Sequence, residues 1–127
     1  MLRLPCLKGG LFLEKDEIIS SIILELRRGT IILSVLSQLD LPVYGYNLVT
    51  QLSEKGISVE ANTLYPLLRR LESQGILISQ WDTEESTKPR KYYQKTQFGE
   101  EIYNIIKKHW LDNVSIINSL IEPEVSL

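Results

Sequence analysis

The residues EANTLYPLLRRLESQG, Glu60 to Gly75, decide how the rest of the chain is read. Leu64, Leu67, Leu68 and Leu71 fall at i, i+3, i+4 and i+7, which places them on one apolar stripe of a helix. At about 100° per residue, Asn62, Tyr65, Arg69 and Ser73 lie opposite, with Thr63 and Arg70 on the flank. Such a helix can rest on a small core and face the groove of a duplex, but any surface helix has the same look. Its N-terminal end has two readings. Either Glu60 caps it poorly, or Asn62 is the cap and Pro66 falls in the first turn, where its missing N–H costs little.

The neighbours narrow the choice. Upstream, Tyr44-Gly45-Tyr46 opens a helix with Leu48, Val49 and Leu52 inward, closed by Gly56 at the left-handed position that helix ends favour. Ile57-Ser58-Val59 reads as an extended link able to pair with a sheet. Downstream, Ile76 to Trp81 and Arg90 to Lys95 read as antiparallel strands around the polar, turn-forming segment Asp82 to Pro89. Alternation places one of Tyr92 and Tyr93 in the core and the other outside. Helix, turn, helix and two-stranded wing is the order of a winged helix-turn-helix domain.

The flanks read as helices in need of a partner. Asp16 is a candidate cap for a helix carrying Ile18, Ile19, Ile22, Ile23 and Leu26, and the apolar pattern resumes from Thr30 to Leu39 before Asp40-Leu41-Pro42 ends it. Gly29 either breaks this run or weakens it by about 1 kcal/mol relative to alanine. A second helix runs from Thr96 to about Glu122, with Tyr103, Ile106, Trp110, Asn113, Ile117 and Leu120 at a/d spacing and Asn113 the single polar member. Helices so coated, in so small a chain, call for a second subunit as cover. The expected organisation is an N-terminal arm over 1–15, a winged helix-turn-helix domain over 16–95, a dimerisation helix over 96–122 and a tail over 123–127. The arm reads as a loose segment or a start codon assigned too early, ahead of a strap across a dimer. The fold class is mainly α with a small β wing, dimerising through Ile19, Ile22 and Ile23 at one end and Tyr103, Ile106, Trp110, Ile117 and Leu120 at the other.

Composition sets limits. The 127 residues are 43% hydrophobic and 24% charged, ordinary for one globular domain. No apolar run approaches the roughly 20 residues of a membrane helix. Cys6 is the only cysteine and His109 the only histidine, so neither a thiol–imidazole pair at local spacing nor a zinc cluster can be assembled. With no glycine-rich phosphate loop either, the chain reads as neither an enzyme nor a holder of metal or cofactor, and a reducing cytoplasm fits. A net charge of −2 opposes indiscriminate coating of nucleic acid. Positive charge is nevertheless concentrated: Lys88, Arg90, Lys91 and Lys95 fall in eight residues with no acid among them, although Asp82, Glu84 and Glu85 lie close by. On duplex DNA, Arg69 and Arg70 suit phosphates or guanine edges, Asn62 suits adenine, and the Thr63 and Tyr65 hydroxyls suit phosphates. The plain alternative for each is a side chain that only solvates the surface.

Three separated motifs, LPVYGYNLVTQL, NTLYPLLRRLESQGIL and KPRKYYQKTQFGEE, closely resemble the PadR family of bacterial transcriptional regulators in order and spacing, from about Arg27 to Trp110. The resemblance implies a homodimeric repressor bound to a pseudo-palindromic operator in double-stranded DNA and released by a hydrophobic or aromatic small molecule. It adds Tyr44 and Tyr46, before and in the first of the paired helices, and Lys88, Arg90 and Lys91 on the wing. Relatives commonly have His where Tyr44 stands; tyrosine keeps a donor and a flat ring but loses the possible positive charge. Small family members resembling this chain hold a flat aromatic effector between two tryptophans at the dimer centre, which makes Trp110 the candidate effector residue and plain packing in the seam its alternative. A winged-helix module for protein–protein contact, without DNA binding, is the competing reading, and the acidic balance favours it.

Overall fold

The computed structural model describes residues 11–83 and 88–122, with side chains from Glu14 onward. Cys6 and the first ten residues, Glu84 and Glu85 of the wing turn, and the tail 123–127 lie outside the described residues. In chain order the elements are α1 (Leu11–Ser37), β1 (Val43–Tyr44), α2 (Gly45–Glu54), α3 (Ala61–Ser73), β2 (Leu77–Asp82), β3 (Arg90–Lys95) and α4 (Gln97–Ile121). The chain divides into two compact units at Ile31/Ile32.

In the first unit the described helix includes Leu11 to Lys15, part of the segment expected to be a loose arm, where leucine, glutamate and lysine are good helix formers. Gly29 does not break it. Thr30 Oγ1 donates to the Arg27 carbonyl 2.9 Å away, and the roughly 1 kcal/mol cost of one glycine is small beside the helical residues on either side that continue the ladder. Ile18, Ile19, Ile22, Ile23, Leu24 and Leu26 are all exposed, from 43% at Ile23 to 72% at Leu26.

The second unit is built on Val35, Leu36 and Leu39, Leu48 and Leu52 of α2, Leu64, Leu68 and Leu71 of α3, and Val59, Ile76, Leu77 and Tyr93, all buried. Each fully buried leucine contributes about 1.5–3 kcal/mol relative to an exposed one. Both short helices end the same way. Gly56 and Gly75 adopt positive φ, and the next residue's N–H reaches back, Ile57 to the Leu52 carbonyl at 2.8 Å and Ile76 to the Leu71 carbonyl at 2.9 Å. That bond corrects the expectation for Ile57-Ser58-Val59. With the Ile57 N–H used to end α2 and Val59 buried, the link forms no strand, and Val43–Tyr44 supplies the third strand instead.

The sheet order is β1-β3-β2, antiparallel throughout, with Tyr44 opposite Tyr92 and Trp81 opposite Lys91. Tyr93 is the buried member of its pair and Tyr92 the half-buried one, as alternation requires. Asn62 is not the cap of α3. Glu60 holds that position through its backbone, its carbonyl accepting from Thr63 and Leu64, with no side-chain bond. Pro66 therefore stands beyond the first turn, and the bond it cannot donate is to the carbonyl of the exposed Asn62, which water can reach. At α4 the Thr96 hydroxyl accepts from the Gly99 N–H at 2.8 Å, and Glu100 in the first turn complements the helix dipole.

Candidate functional site

With Leu64, Leu68 and Leu71 buried, α3 turns Asn62, Thr63, Arg69 and Arg70 to solvent. Tyr65 is half-buried at the edge of this face. Gly45 makes room for it: a Cβ there would stand 3.3 Å from the Tyr65 ring and 3.3 Å from the Tyr93 ring. The start of α2 is thereby pressed against α3 and the wing. Burial, and then the neighbouring phenols of Tyr44, Tyr93 and Tyr46, raise the Tyr65 pKa above the ordinary tyrosine value. Tyr65 is therefore a neutral hydroxyl at physiological pH, able to donate to a phosphate oxygen.

Tyr44, Tyr46 and Arg90, distant in sequence, form one cluster. The Tyr44 ring centroid lies 5.9 Å from that of Tyr46 and 5.8 Å from that of Tyr92. The Arg90 guanidinium sits 5.2 Å from the Tyr44 centroid, a cation–π contact that limits where it can point. Tyr46 is 66% exposed, and Lys88 and Arg90 are exposed. Lys91 differs. Its Nζ lies 3.6 Å from Glu72 Oε1 and over the rings of Trp81 and Tyr93, so the fold already uses this cation to hold the wing to α3. Glu72 also accepts a hydrogen bond from Ser79 Oγ. Sequence reasoning did not single out Glu72 or Trp81. The opposite charges of Glu72 and Lys91 were visible, but nothing local paired them.

The apolar a/d positions of α4 are largely uncovered. Trp110, Ile117 and Leu120 are exposed, while Tyr103 and Ile106 are half-buried. Tyr103 lies beneath two ammonium groups, Lys95 Nζ at 4.1 Å and Lys107 Nζ at 5.4 Å from its centroid. Among the described residues no His, Cys, Asp and Glu side chains gather into a group able to hold a metal, and no helix is long and apolar enough to cross a membrane.

Residues 32–105 match the model of the transcriptional regulator PadR-like family. The crystal structure of a PadR family transcriptional regulator from Eggerthella lenta is similar with a TM-score of 0.81 and 50% identity, over 87% of this chain and 97% of that one. The PadR-like regulator BC4206 of Bacillus cereus gives a TM-score of 0.69 at 27% identity, over 77% of this chain and 97% of the other. The transcriptional regulator Rv3488 of Mycobacterium tuberculosis is 36% identical over 76 residues, 59% of this chain and 70% of its own length. The motifs, the winged fold and these likenesses agree: the chain belongs to the PadR-like family of transcriptional regulators, a family of regulators rather than of enzymes.

Proposed function

We propose that this regulator binds a pseudo-palindromic operator in double-stranded DNA as a homodimer and represses transcription from it in the cytoplasm. The observation that carries the reading is the exposed face of α3, with Asn62, Thr63, Arg69 and Arg70 in the open and the Tyr44–Tyr46–Arg90 cluster at its Tyr65 edge. In this reading α3 enters the major groove and Arg90 and Lys88 meet phosphates beside it, while Lys91 holds the wing in place. Half-sites lie about one helical turn apart. The uncovered apolar residues of α1 and α4 supply the dimer seam. Trp110 offers a flat apolar face to an aromatic effector at that seam. An effector that prefers the dimer of wrong spacing by about 2.7 kcal/mol releases the operator 100-fold.

Binding to the DNA upstream of its own coding region, measured against salt, tests the reading. Several phosphate contacts per subunit give a steep negative log–log slope, about 0.9 per phosphate. Arg90→Ala is expected to weaken specific and random duplexes alike and to reduce that slope by about one contact per subunit. Asn62→Ala instead relaxes base preference at one position by about 1–3 kcal/mol. A flat slope in the unmodified protein favours the protein–protein module. For Trp110, a flat aromatic dye is expected to quench the protein's emission, and Trp110→Phe to abolish the response while Trp81 still emits. An unchanged response in Trp110→Phe leaves Trp110 as packing.

A further inference from the structure

The base of the wing holds a charge that the proposed DNA contacts do not use. The side chain of Lys95, the last residue of β3, is only 3% exposed. Its Nζ lies 2.8 Å from Asp40 Oδ1 and 3.0 Å from Glu100 Oε1, above the Tyr103 ring. Burial disfavours this ammonium, but hydrogen bonds to Asp40 and Glu100 outweigh burial and raise its pKa, so it stays charged at physiological pH.

Backbone bonds close the same joint. The Lys95 N–H donates to the Leu39 carbonyl at 2.9 Å and the Thr96 N–H to the Ile76 carbonyl at 3.0 Å. Thr96 Oγ1 donates to the Gly75 carbonyl at 2.7 Å, and Gln94 Nε2 to the Asp40 carbonyl at 2.9 Å. The segments after α1 and after α3, the central wing strand and the first turns of α4 thus meet at Lys95 and Thr96, and the ammonium itself joins the first of these segments to α4. Stability alone does not call for it, since ion pairs whose carboxylates are 74% and 50% exposed are screened by water and contribute little. What the ammonium adds is direction, because its bonds to carboxylates on the turn after α1 and on α4 fix the angle at which β3 meets them.

We propose that Lys95 is a positioning residue for DNA binding, which locks the wing to α4 so that Arg90 meets its phosphate when the dimer helices set the two copies of α3. The inference rests on the DNA-binding reading above. Leverage supports it. Arg90 stands at the far end of the strand from Lys95, about 17 Å away at about 3.4 Å per residue, so a tilt of about 10° at the joint moves Arg90 by about 3 Å. That is enough to lose a hydrogen bond.

A double-mutant cycle tests it, read as affinity for a random-sequence duplex at fixed salt and as the salt slope. Lys95→Met is expected to remain folded and dimeric, because Asp40 and Glu100 are 74% and 50% exposed and can be hydrated. Affinity is expected to fall about five- to tenfold, close to the loss in Arg90→Ala, with the same shallower slope. Arg90→Ala added to Lys95→Met is then expected to cost less than twofold more. Glu100→Gln, which removes one exposed carboxylate, gives the same non-additivity in smaller measure if Lys95→Met does not fold. Equal losses on Arg90→Ala in all three backgrounds, or wild-type affinity in Lys95→Met, overturn the proposal alone. A wild-type protein without affinity for any duplex overturns the DNA-binding reading and this inference with it.

Discussion

Replacing Ile117 and Leu120 together by glutamate is expected to turn the protein into monomers and to lower its affinity for an operator-length duplex by about 10²–10⁴-fold. Both side chains are exposed in the single chain, 43% and 71%, and neither belongs to the buried core that runs from Val35 to Tyr93. The winged unit should therefore fold unchanged. In the proposed dimer the double substitution places four carboxylates in one apolar seam, where each must be desolvated beside like charges. The loss of affinity follows from valency. A dimer delivers its second α3 at an effective concentration fixed by the seam, and a monomer must bind each half-site independently. Sedimentation velocity reads the first effect and gel-shift titration the second. A variant that stays dimeric and binds normally would show that this end of α4 is not the seam.

Gly99→Ala is expected to be the most damaging small change in the winged unit, costing about 1–3 kcal/mol with the upper end favoured. A Cβ at this position would overlap the carbonyl oxygen of Ile76, a backbone atom that cannot turn aside as a side chain can. The first turn of α4 would have to lift away. That movement strains the bonds from the Thr96 hydroxyl to Gly75 and from the Gly99 N–H to Thr96, and the Lys95–Glu100 pair with them. Urea unfolding followed by circular dichroism measures the cost. An unchanged midpoint would mean that α4 is docked more loosely than the close approach of Gly99 implies.

Features with a local cause were legible in the sequence. The leucine stripe of α3 and the left-handed glycine at 56 are each set by residues close in sequence, and each stands where its pattern places it; the positive φ of Gly75 and the Thr96 cap obey the same local rules but were not singled out. The third strand was not legible. Val43–Tyr44 is two residues long, too short for periodicity to register, whereas Ile57–Val59 looked better but had its first N–H committed to ending α2. The Asn62 alternative failed because side-chain capping preference is worth only about 1 kcal/mol, less than the packing that sets where α3 starts. Long-range electrostatics were the least visible. Lys91 and Lys95 belong to the same basic run as Lys88 and Arg90, yet the fold pairs Lys91 with Glu72 and Lys95 with Asp40 and Glu100. A run of four cations, three of them candidate DNA contacts, is thus divided: Lys88 and Arg90 are exposed, while Lys91 and Lys95 reach carboxylates of other segments. Strand alternation could have raised the question, but only the Glu72 and Asp40 positions could answer it.

The most direct measurement is sedimentation equilibrium of the protein with a duplex of about 30 base pairs taken from upstream of its own coding region, long enough for two half-sites and their flanks. The expected result is two 14.6 kDa chains on each duplex at saturation, with no stable one-chain complex and with dissociation as salt rises. A single chain bound per duplex, or protein that sediments apart from the DNA at low salt, would contradict the account.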